Sequence, residues 1–209
     1  MNRKALIVAA AVALVAGFLF LRSGGPGWPL MNWPPSGGST IVVLGDSLTS
    51  GHSVNPGESY VDRLEQRFGV SIVNAGISGN VTADGLKRLD RDVLSEDPRI
   101  VLVFLGGNDM LRKTAPESQF RDLREIVRRI QATGAFVILV GLEAPPLMSS
   151  TDYGDLYEEV AREMGTGYVP NAMGGVFGRP SLMADSIHPN AAGHEKMAKR
   201  IGDAIEEYM

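Results

Sequence analysis

The sequence predicts an α/β fold in which a parallel sheet of five strands lies between two layers of helices. From residue 40 to the C-terminus, short apolar runs alternate with segments of helical periodicity. Two of the runs, 100–105 and 136–140, are continuously apolar, which is typical of strands covered on both faces. The alternation predicts a parallel sheet, because each helix returns the chain to the edge where the next strand begins.

The strands are predicted from β-branched and apolar runs that end at turn residues. The first run, Ile-Val-Val-Leu, is followed directly by Gly45, and the second is a short Val-Ser-Ile-Val segment. The predicted strands are 41–44, 70–73, 100–105, 136–140 and 167–169.

The helices are predicted from apolar residues spaced three and four apart, which form one stripe on a helix. In the third helix this stripe contains Phe120, Leu123, Val127 and Ile130. The predicted helices are 60–68, 82–94, 116–132, 153–164 and 190–208, the last with Asn190 as its N-cap.

Composition fits one domain, residues 40–209, with enough apolar residues for a core, since 44% of the 209 residues are hydrophobic. The net charge of −4 argues against a nucleic-acid-binding surface, which requires a basic face. The chain contains no cysteine, which excludes disulfides, thiolate zinc sites and a cysteine nucleophile.

The N-terminus predicts a membrane anchor in residues 1–22. Arg3 and Lys4 precede an apolar run, 5–21, that is long enough to span a bilayer, and Arg22 follows it. The alternative is a cleaved signal peptide, but no Ala-x-Ala site follows the run and Pro26 would impede cleavage. We expect an uncleaved anchor with the body of the protein on the periplasmic or extracytoplasmic side, whereas cleavage would release a secreted protein.

Residues 23–39 are rich in Gly, Pro and Ser, which predicts a linker between the anchor and the domain. This segment contains both tryptophans, Trp28 and Trp33. Two alternatives remain open for them at this point: a place at the membrane interface, or contact with the surface of the domain.

Polar and glycine-rich loops follow the first four predicted strands, and the first of them contains Gly45-Asp46-Ser47. In a parallel sheet these loops share one edge and converge on one site. A serine is a nucleophile only when a base takes its proton, and His188 is the best candidate. Asp185 lies three residues earlier, so that a turn can bring its carboxylate to the imidazole. We expect the other two histidines, His52 and His194, to be solvated.

Acyl transfer also requires donors for an oxyanion. The N–H groups of Ser47 and Gly79 and the side-chain amide of Asn108 are the candidates, each at the end of a different predicted strand.

Four blocks of this sequence resemble those of the Ser-Gly-Asn-His hydrolases, also called the GDSL esterase/lipase family. The blocks are Gly45-Asp46-Ser47-Leu48, Gly79, Gly106-Gly107-Asn108-Asp109 and Asp185-x-x-His188-Pro189, and their order and spacing match across 41–205. The resemblance is greatest to the bacterial branch that contains a thioesterase/arylesterase/lysophospholipase.

The resemblance implies a flavodoxin-like three-layer sandwich with strand order 2-1-3-4-5. It also implies that Ser47 is the nucleophile, that Asp185 and His188 complete a triad, and that Ser47, Gly79 and Asn108 form the oxyanion hole. Asp46 would hold the loop and not enter the triad. The activity implied is hydrolysis of carboxylic esters, thioesters or lysophospholipids by a monomer, with no metal or organic cofactor.

Apolar residues near these loops predict an acyl pocket containing Met110, Leu147 and Met148. The alternative is ordinary packing beneath a surface loop.

Other functions remain open at this stage. A polysaccharide O-acetyl esterase would use the same triad with a different pocket. A non-catalytic flavodoxin-like binding module is less well supported, because the chain has neither a G-x-G-x-x-G after the first strand nor a P-loop. A phosphotransferase using Asp46 would leave Ser47, Asn108 and His188 unexplained.

Overall fold

The computed structural model describes residues 26–143 and 152–209. The predicted anchor, residues 1–22, lies outside the described residues, and so do Leu147 and Met148 of the predicted pocket. Among the helices that are described, none is long and apolar enough to cross a membrane.

The sheet has five parallel strands in the order 2-1-3-4-5, which confirms the predicted topology. The strands are β1 (Thr40–Gly45), β2 (Ile72–Gly76), β3 (Pro98–Phe104), β4 (Phe136–Val140) and β5 (Gly167–Val169).

Helices cover both faces of the sheet. They are α1 (Ser47–Ser50), α2 (Tyr60–Phe68), α3 (Thr82–Asp92), α4 (Gly107–Leu111), α5 (Pro116–Gln131), α6 (Tyr153–Met164) and α7 (Ala191–Ile205). Buried residues of α3, α5 and α6 form one core cluster with the sheet, and those of α2 and α7 form a second cluster. The predicted α/β/α sandwich is thereby confirmed.

The continuous apolar runs of the central strands follow from this layering. In β4, Val137 and Leu139 belong to the first cluster, whereas Ile138 and Val140 belong to the second. Successive side chains of a strand point to opposite faces, so a strand covered on both sides requires an apolar residue at every position.

The edge strand β2 differs from its prediction. It begins at Ile72 and continues to Gly76, in register with β1 from Ile41 to Gly45. Val70 precedes it and is exposed. The pairing with β1 sets these bounds, because the composition of an edge strand does not determine where its ladder of hydrogen bonds begins.

Residues 26–39, here called the strap, pack against the edge of the sheet at which the strands begin. The indole of Trp28 is buried and donates a hydrogen bond to the Thr166 carbonyl at 3.0 Å. The Trp33 ring lies 5.0 Å from the ring of Phe136, the first residue of β4. Of the two alternatives for the tryptophans, the structure therefore shows contact with the domain.

Candidate active site

The first candidate residue, Ser47, follows the end of β1 and is the first residue of α1. The Asp46 side chain caps this short helix by accepting a hydrogen bond from the Leu48 N–H at 3.0 Å. The cap turns the chain sharply after the strand, so that Ser47 lies at the carboxyl edge of the sheet. The first N–H groups of a helix have no intrahelical acceptor, which leaves the Ser47 N–H available.

The second candidate segment is a tight loop before α7. An antiparallel bridge joins Met183 to Pro189, and the turn between them brings Asp185 back towards His188. One carboxylate oxygen of Asp185 accepts the Ile187 and His188 N–H groups at 2.8 and 2.7 Å. Its other oxygen lies 2.8 Å from His188 Nδ1. The hydrogen bond from His188 holds the pKa of the Asp185 carboxyl well below its usual range.

The fold brings this loop to Ser47 across 141 residues of sequence. His188 Nε2 lies 3.1 Å from Ser47 Oγ. Because the ionised Asp185 accepts a hydrogen bond from Nδ1, the proton of a neutral imidazole stays on Nδ1 and Nε2 can accept the hydroxyl proton. The three predicted residues thus have the mutual geometry that a nucleophile, a base and an orienting carboxylate require.

Asn108 lines the same cleft as Ser47, because α4 begins at Gly107, shortly after the end of β3 at Phe104. Gly106 has a φ of 118°, and a Cβ there would come within 2.0 Å of the Tyr157 hydroxyl, so the position requires glycine. Asn108 Nδ2 donates to the Asn80 carbonyl at 3.0 Å and to Asp46 at 3.2 Å. Gly79 is linked to Asn108 through the next residue, Asn80, whose carbonyl accepts the Asn108 amide.

Two buried carboxylates support these loops, and sequence reasoning assigned a role only to the first. Asp46 is buried, and burial raises its pKa to about 6. Asp109 is also buried and accepts hydrogen bonds from the Thr82 N–H and hydroxyl at 2.8 and 3.0 Å. It thereby joins α4 to the beginning of α3.

Two arginines hold the loop that contains Gly79, and sequence reasoning missed both. The buried guanidinium of Arg88 donates to Asn80 Oδ1 at 2.7 Å and to the carbonyl of Gly45 at 2.8 Å. Arg112 is exposed and donates to the Gly79 carbonyl at 2.8 Å. Position Arg88 carried a signal in the sequence, since it shares a helical stripe with the buried Gly85 and Leu89.

A family model for the GDSL-like lipase/acylhydrolases matches residues 43–196. The match spans every candidate residue of the triad and the oxyanion site. The chain belongs to the GDSL-like lipase/acylhydrolase family.

Similar proteins have names that fit this GDSL-like family. Esterase TesA of Pseudomonas aeruginosa is 33% identical over 181 residues, which cover 80% of this chain and 88% of that protein. Thioesterase 1/protease 1/lysophospholipase L1 of Escherichia coli is 32% identical over 167 residues, covering 77% of this chain and 80% of that protein. Acetylxylan esterase of Geobacillus stearothermophilus is 27% identical over 200 residues, covering 78% of this chain and 91% of that protein.

A solved structure, the crystal structure of TesA, superposes on this chain with a TM-score of 0.78 and 31% identity. It covers 82% of this chain and all of that one. The predicted family, fold and enzyme class are therefore confirmed: this GDSL-like acylhydrolase is a hydrolase that acts on ester bonds.

A cleft of about 680 Å³, part of it open to solvent, lies directly beside Ser47 and His188 of the acylhydrolase. Most of its other lining is apolar and comes from Met110, Leu111, Leu142, Met173, Phe177 and Ile187. The predicted pocket residue Met110 thus lies at the cleft, whereas Leu147 and Met148 are outside the described residues.

The prediction that His194 is solvated is wrong. Its ring is fully buried, Nδ1 accepts the Tyr60 N–H at 3.2 Å, and burial lowers its pKa to about 4. The signal was its helical spacing from Met197 and Ile201, which are buried on the same face of α7. His52 is exposed, as expected, but its ring contacts the His188 ring of this GDSL-like site.

Proposed function

We propose that this protein is a serine esterase that cleaves carboxylic esters through an acyl-enzyme on Ser47. The observation that carries the proposal is the continuous contact from Asp185 to His188 at 2.8 Å and from His188 to Ser47 Oγ at 3.1 Å. These distances suit proton transfer from the hydroxyl to the imidazole and stabilisation of the resulting imidazolium by the carboxylate.

In the first half of the reaction, Ser47 Oγ attacks the carbonyl carbon as its proton passes to His188 Nε2. The negative charge that develops on the carbonyl oxygen is stabilised by the N–H groups of Ser47 and Gly79 and by the amide of Asn108, which exchanges its 3.2 Å hydrogen bond to Asp46 for one to the oxyanion. The bond from the carbonyl carbon to the leaving oxygen or sulfur then breaks, and His188 returns its proton to the departing alcohol or thiol. The acyl group remains on Ser47.

In the second half, water attacks the acyl carbon while His188 accepts one of its protons. The tetrahedral intermediate forms against the same three donors. Its collapse breaks the bond to Oγ, and His188 protonates the serine. The products are a carboxylic acid and the restored enzyme, so the cycle uses one water molecule and no cofactor.

The apolar lining of the cleft supports acyl chains longer than acetyl, including those of thioesters and lysophospholipids. Leu142, Met173 and Phe177 offer surface to a hydrocarbon chain and few hydrogen-bond partners to a sugar. The names of two relatives, an esterase and a thioesterase/lysophospholipase, agree with this substrate class.

The second candidate function is polysaccharide O-acetyl esterase. The observation that favours it is the similarity to a protein named acetylxylan esterase. The acyl group distinguishes the two functions, since an acetyl group can bury only a small part of the apolar lining of the cleft.

The test combines one variant with a series of substrates. We expect Ser47→Ala to abolish hydrolysis of p-nitrophenyl esters, and a fluorophosphonate to label the wild type at Ser47 alone. Ser95→Ala, an exposed serine in the turn before β3, is the matched control and should keep full activity. Turnover by Ser47→Ala would overturn the mechanism, and a strong preference for acetyl over octanoyl esters would favour the second function.

We further propose that residues 1–22 anchor a monomer in the membrane with the catalytic domain on the periplasmic or extracytoplasmic side. The basic-apolar-basic pattern of these residues supports it. Membrane fractionation of cells expressing the full chain tests the anchor, and recovery in the medium would instead indicate cleavage and secretion. Light scattering of the detergent-solubilised chain tests the monomer.

A further inference from the structure

His52 lies at the proposed catalytic centre without a part in the mechanism above. Its ring centroid is 4.4 Å from that of His188, and the two planes are inclined by 54°. This separation is at the close end of the range over which aromatic rings attract each other. Within the described residues, the His52 side chain makes no hydrogen bond, so its contact with His188 is made by the ring itself.

The turn that follows the proposed nucleophile places His52 there. Helix α1 ends at Ser50 and is capped by Gly51, which has a φ of 75°, and a Cβ at this position would come within 3.0 Å of the Ser59 side chain. The His52 N–H donates to the Ser47 carbonyl at 3.0 Å. The position of His52 is therefore coupled to that of Ser47, one turn away.

The contact complements the two hydrogen bonds of the His188 ring. Asp185 holds Nδ1 and Ser47 approaches Nε2, and both bonds lie near the plane of the imidazole. A tilt of the ring about the line through its two nitrogens changes neither distance, so only the angular preference of the two bonds opposes it. The Asp185 side chain is also about half exposed, so water competes for its oxygens. A ring in contact with the imidazole at this distance restricts the tilt by packing.

We propose that His52 is a positioning residue that holds the His188 imidazole in line with Ser47 Oγ through ring packing. The inference rests on the proposed function, in which His188 accepts the Ser47 proton. When the proton passes from Oγ to Nε2, the imidazolium keeps its hydrogen bond to the Asp185 carboxylate and its contact with the tilted His52 ring.

Replacement of the ring tests the proposal. We expect His52→Ala to lower kcat about 2- to 12-fold, the fold-change equivalent to an aromatic-pair energy of about 0.5–1.5 kcal/mol. KM should stay within about 2-fold, because His52 is not among the described residues that line the cleft. His52→Phe keeps an aromatic ring and should retain kcat within about 2-fold of the wild type.

The control is Ser53→Asn, the exposed neighbour whose φ of 71° an asparagine accepts. It should leave kcat and KM unchanged, and circular dichroism should give one melting temperature for all variants, since both side chains are exposed. A His52→Ala enzyme with wild-type kcat would overturn the proposal. So would a His52→Phe enzyme as slow as His52→Ala, because a proton-carrying group would then be required.

Ser47→Ala, assayed in parallel, distinguishes a failure of the positioning role of His52 from a failure of the esterase mechanism. If Ser47→Ala is inactive and His52→Ala behaves as the wild type, the esterase mechanism stands and only the positioning role fails. If Ser47→Ala retains activity, the esterase mechanism itself fails.

Discussion

The two edges of the sheet differ in the chemistry of the side chains that cover them. At the carboxyl edge, charged side chains are buried beneath the loops of the candidate site, among them Asp46, Asp109 and Arg88. At the amino edge, the strap covers the strand ends with aromatic rings and hydrogen bonds to backbone carbonyls.

The groups at the amino edge stabilise the fold, whereas the carboxyl edge contains groups whose burial is unfavourable but which support the candidate active site. Burial of the Trp28 indole with its N–H satisfied is favourable. Burial of the Asp46 carboxylate is unfavourable, and its raised pKa records the cost. We therefore expect substitutions at the carboxyl edge to affect activity more than stability, and those at the amino edge to do the reverse.

The largest effect expected on activity is that of Asp185→Asn. An amide at this position favours the wrong tautomer of His188, which we expect to lower kcat about 10⁴-fold. Because Asp185 is exposed, the midpoint of urea unfolding should change little. Asp155→Asn, an exposed carboxylate in α6, is the control and should retain activity. A loss smaller than 10-fold would contradict the assigned role of Asp185.

The largest effect expected on stability is that of Trp28→Ala. Removal of this buried indole should lower the free energy of unfolding by about 3–5 kcal/mol, measured by urea denaturation. The kcat of the folded enzyme should not change, since the proposed catalytic residues lie at the opposite edge. Trp33→Ala removes a ring that is 36% exposed and should cost less. A selective loss of kcat in Trp28→Ala would show that the two edges are coupled.

Asp46→Asn should lower activity and raise stability through the same residue. The variant removes the carboxylate that accepts the Asn108 amide, and we expect kcat to fall by up to about 100-fold. Stability should rise, because the folded-state pKa of about 6 lies above the ordinary 3.8 and the ionised form is therefore unfavourable in the fold.

Because the fold raises the pKa of Asp46, the gain in stability of Asp46→Asn should depend on pH. Between pH 4 and 6 Asp46 ionises in the unfolded chain but keeps its proton in the fold, so the wild type loses stability over this range, by about 3 kcal/mol at neutral pH. The asparagine does not ionise, so the advantage of Asp46→Asn should be greatest above pH 6 and vanish near pH 4. Urea denaturation between pH 4 and 8 measures it, and an advantage that is constant with pH would contradict the assignment to Asp46.

The smallest effect is expected at Arg112. Arg112→Gln removes an exposed hydrogen bond to the Gly79 carbonyl and should lower kcat about 2- to 10-fold. Arg121→Gln, an exposed arginine in α5, is the matched control. An unchanged kcat in Arg112→Gln would show that the Gly79 loop is held well enough by Arg88 alone.

Central elements of the fold were predictable because their patterns are local. Strand β4 has the predicted bounds, as do the helices 60–68 and 153–164, since apolar runs and helical stripes report burial directly. The bounds of β2 were not predictable, because its partner strand determines them. The burial of His194 was missed because a single polar residue outweighed the apolar stripe around it.

The candidate site also has one part that the sequence predicts from a local pattern and one part that depends on distant contacts. The Asp185–His188 pair is encoded by a three-residue spacing that one turn converts into a hydrogen bond. The support given by Arg88 and Arg112 was not foreseen, because each arginine acts on the backbone of a loop that the sequence alone does not place beside it.

The sequence by itself determined the alternation of strands and helices, the family, and the identity of the candidate nucleophile, base and carboxylate. These follow from local periodicity and from motifs whose members are a few residues apart. Only the tertiary structure decided that Ser47 meets His188, that Asp46 is buried, that His52 packs on the base and that the strap covers the amino edge. Each of these depends on contact between segments far apart in the chain, and such contacts are set by the packing of the whole sheet and its helices.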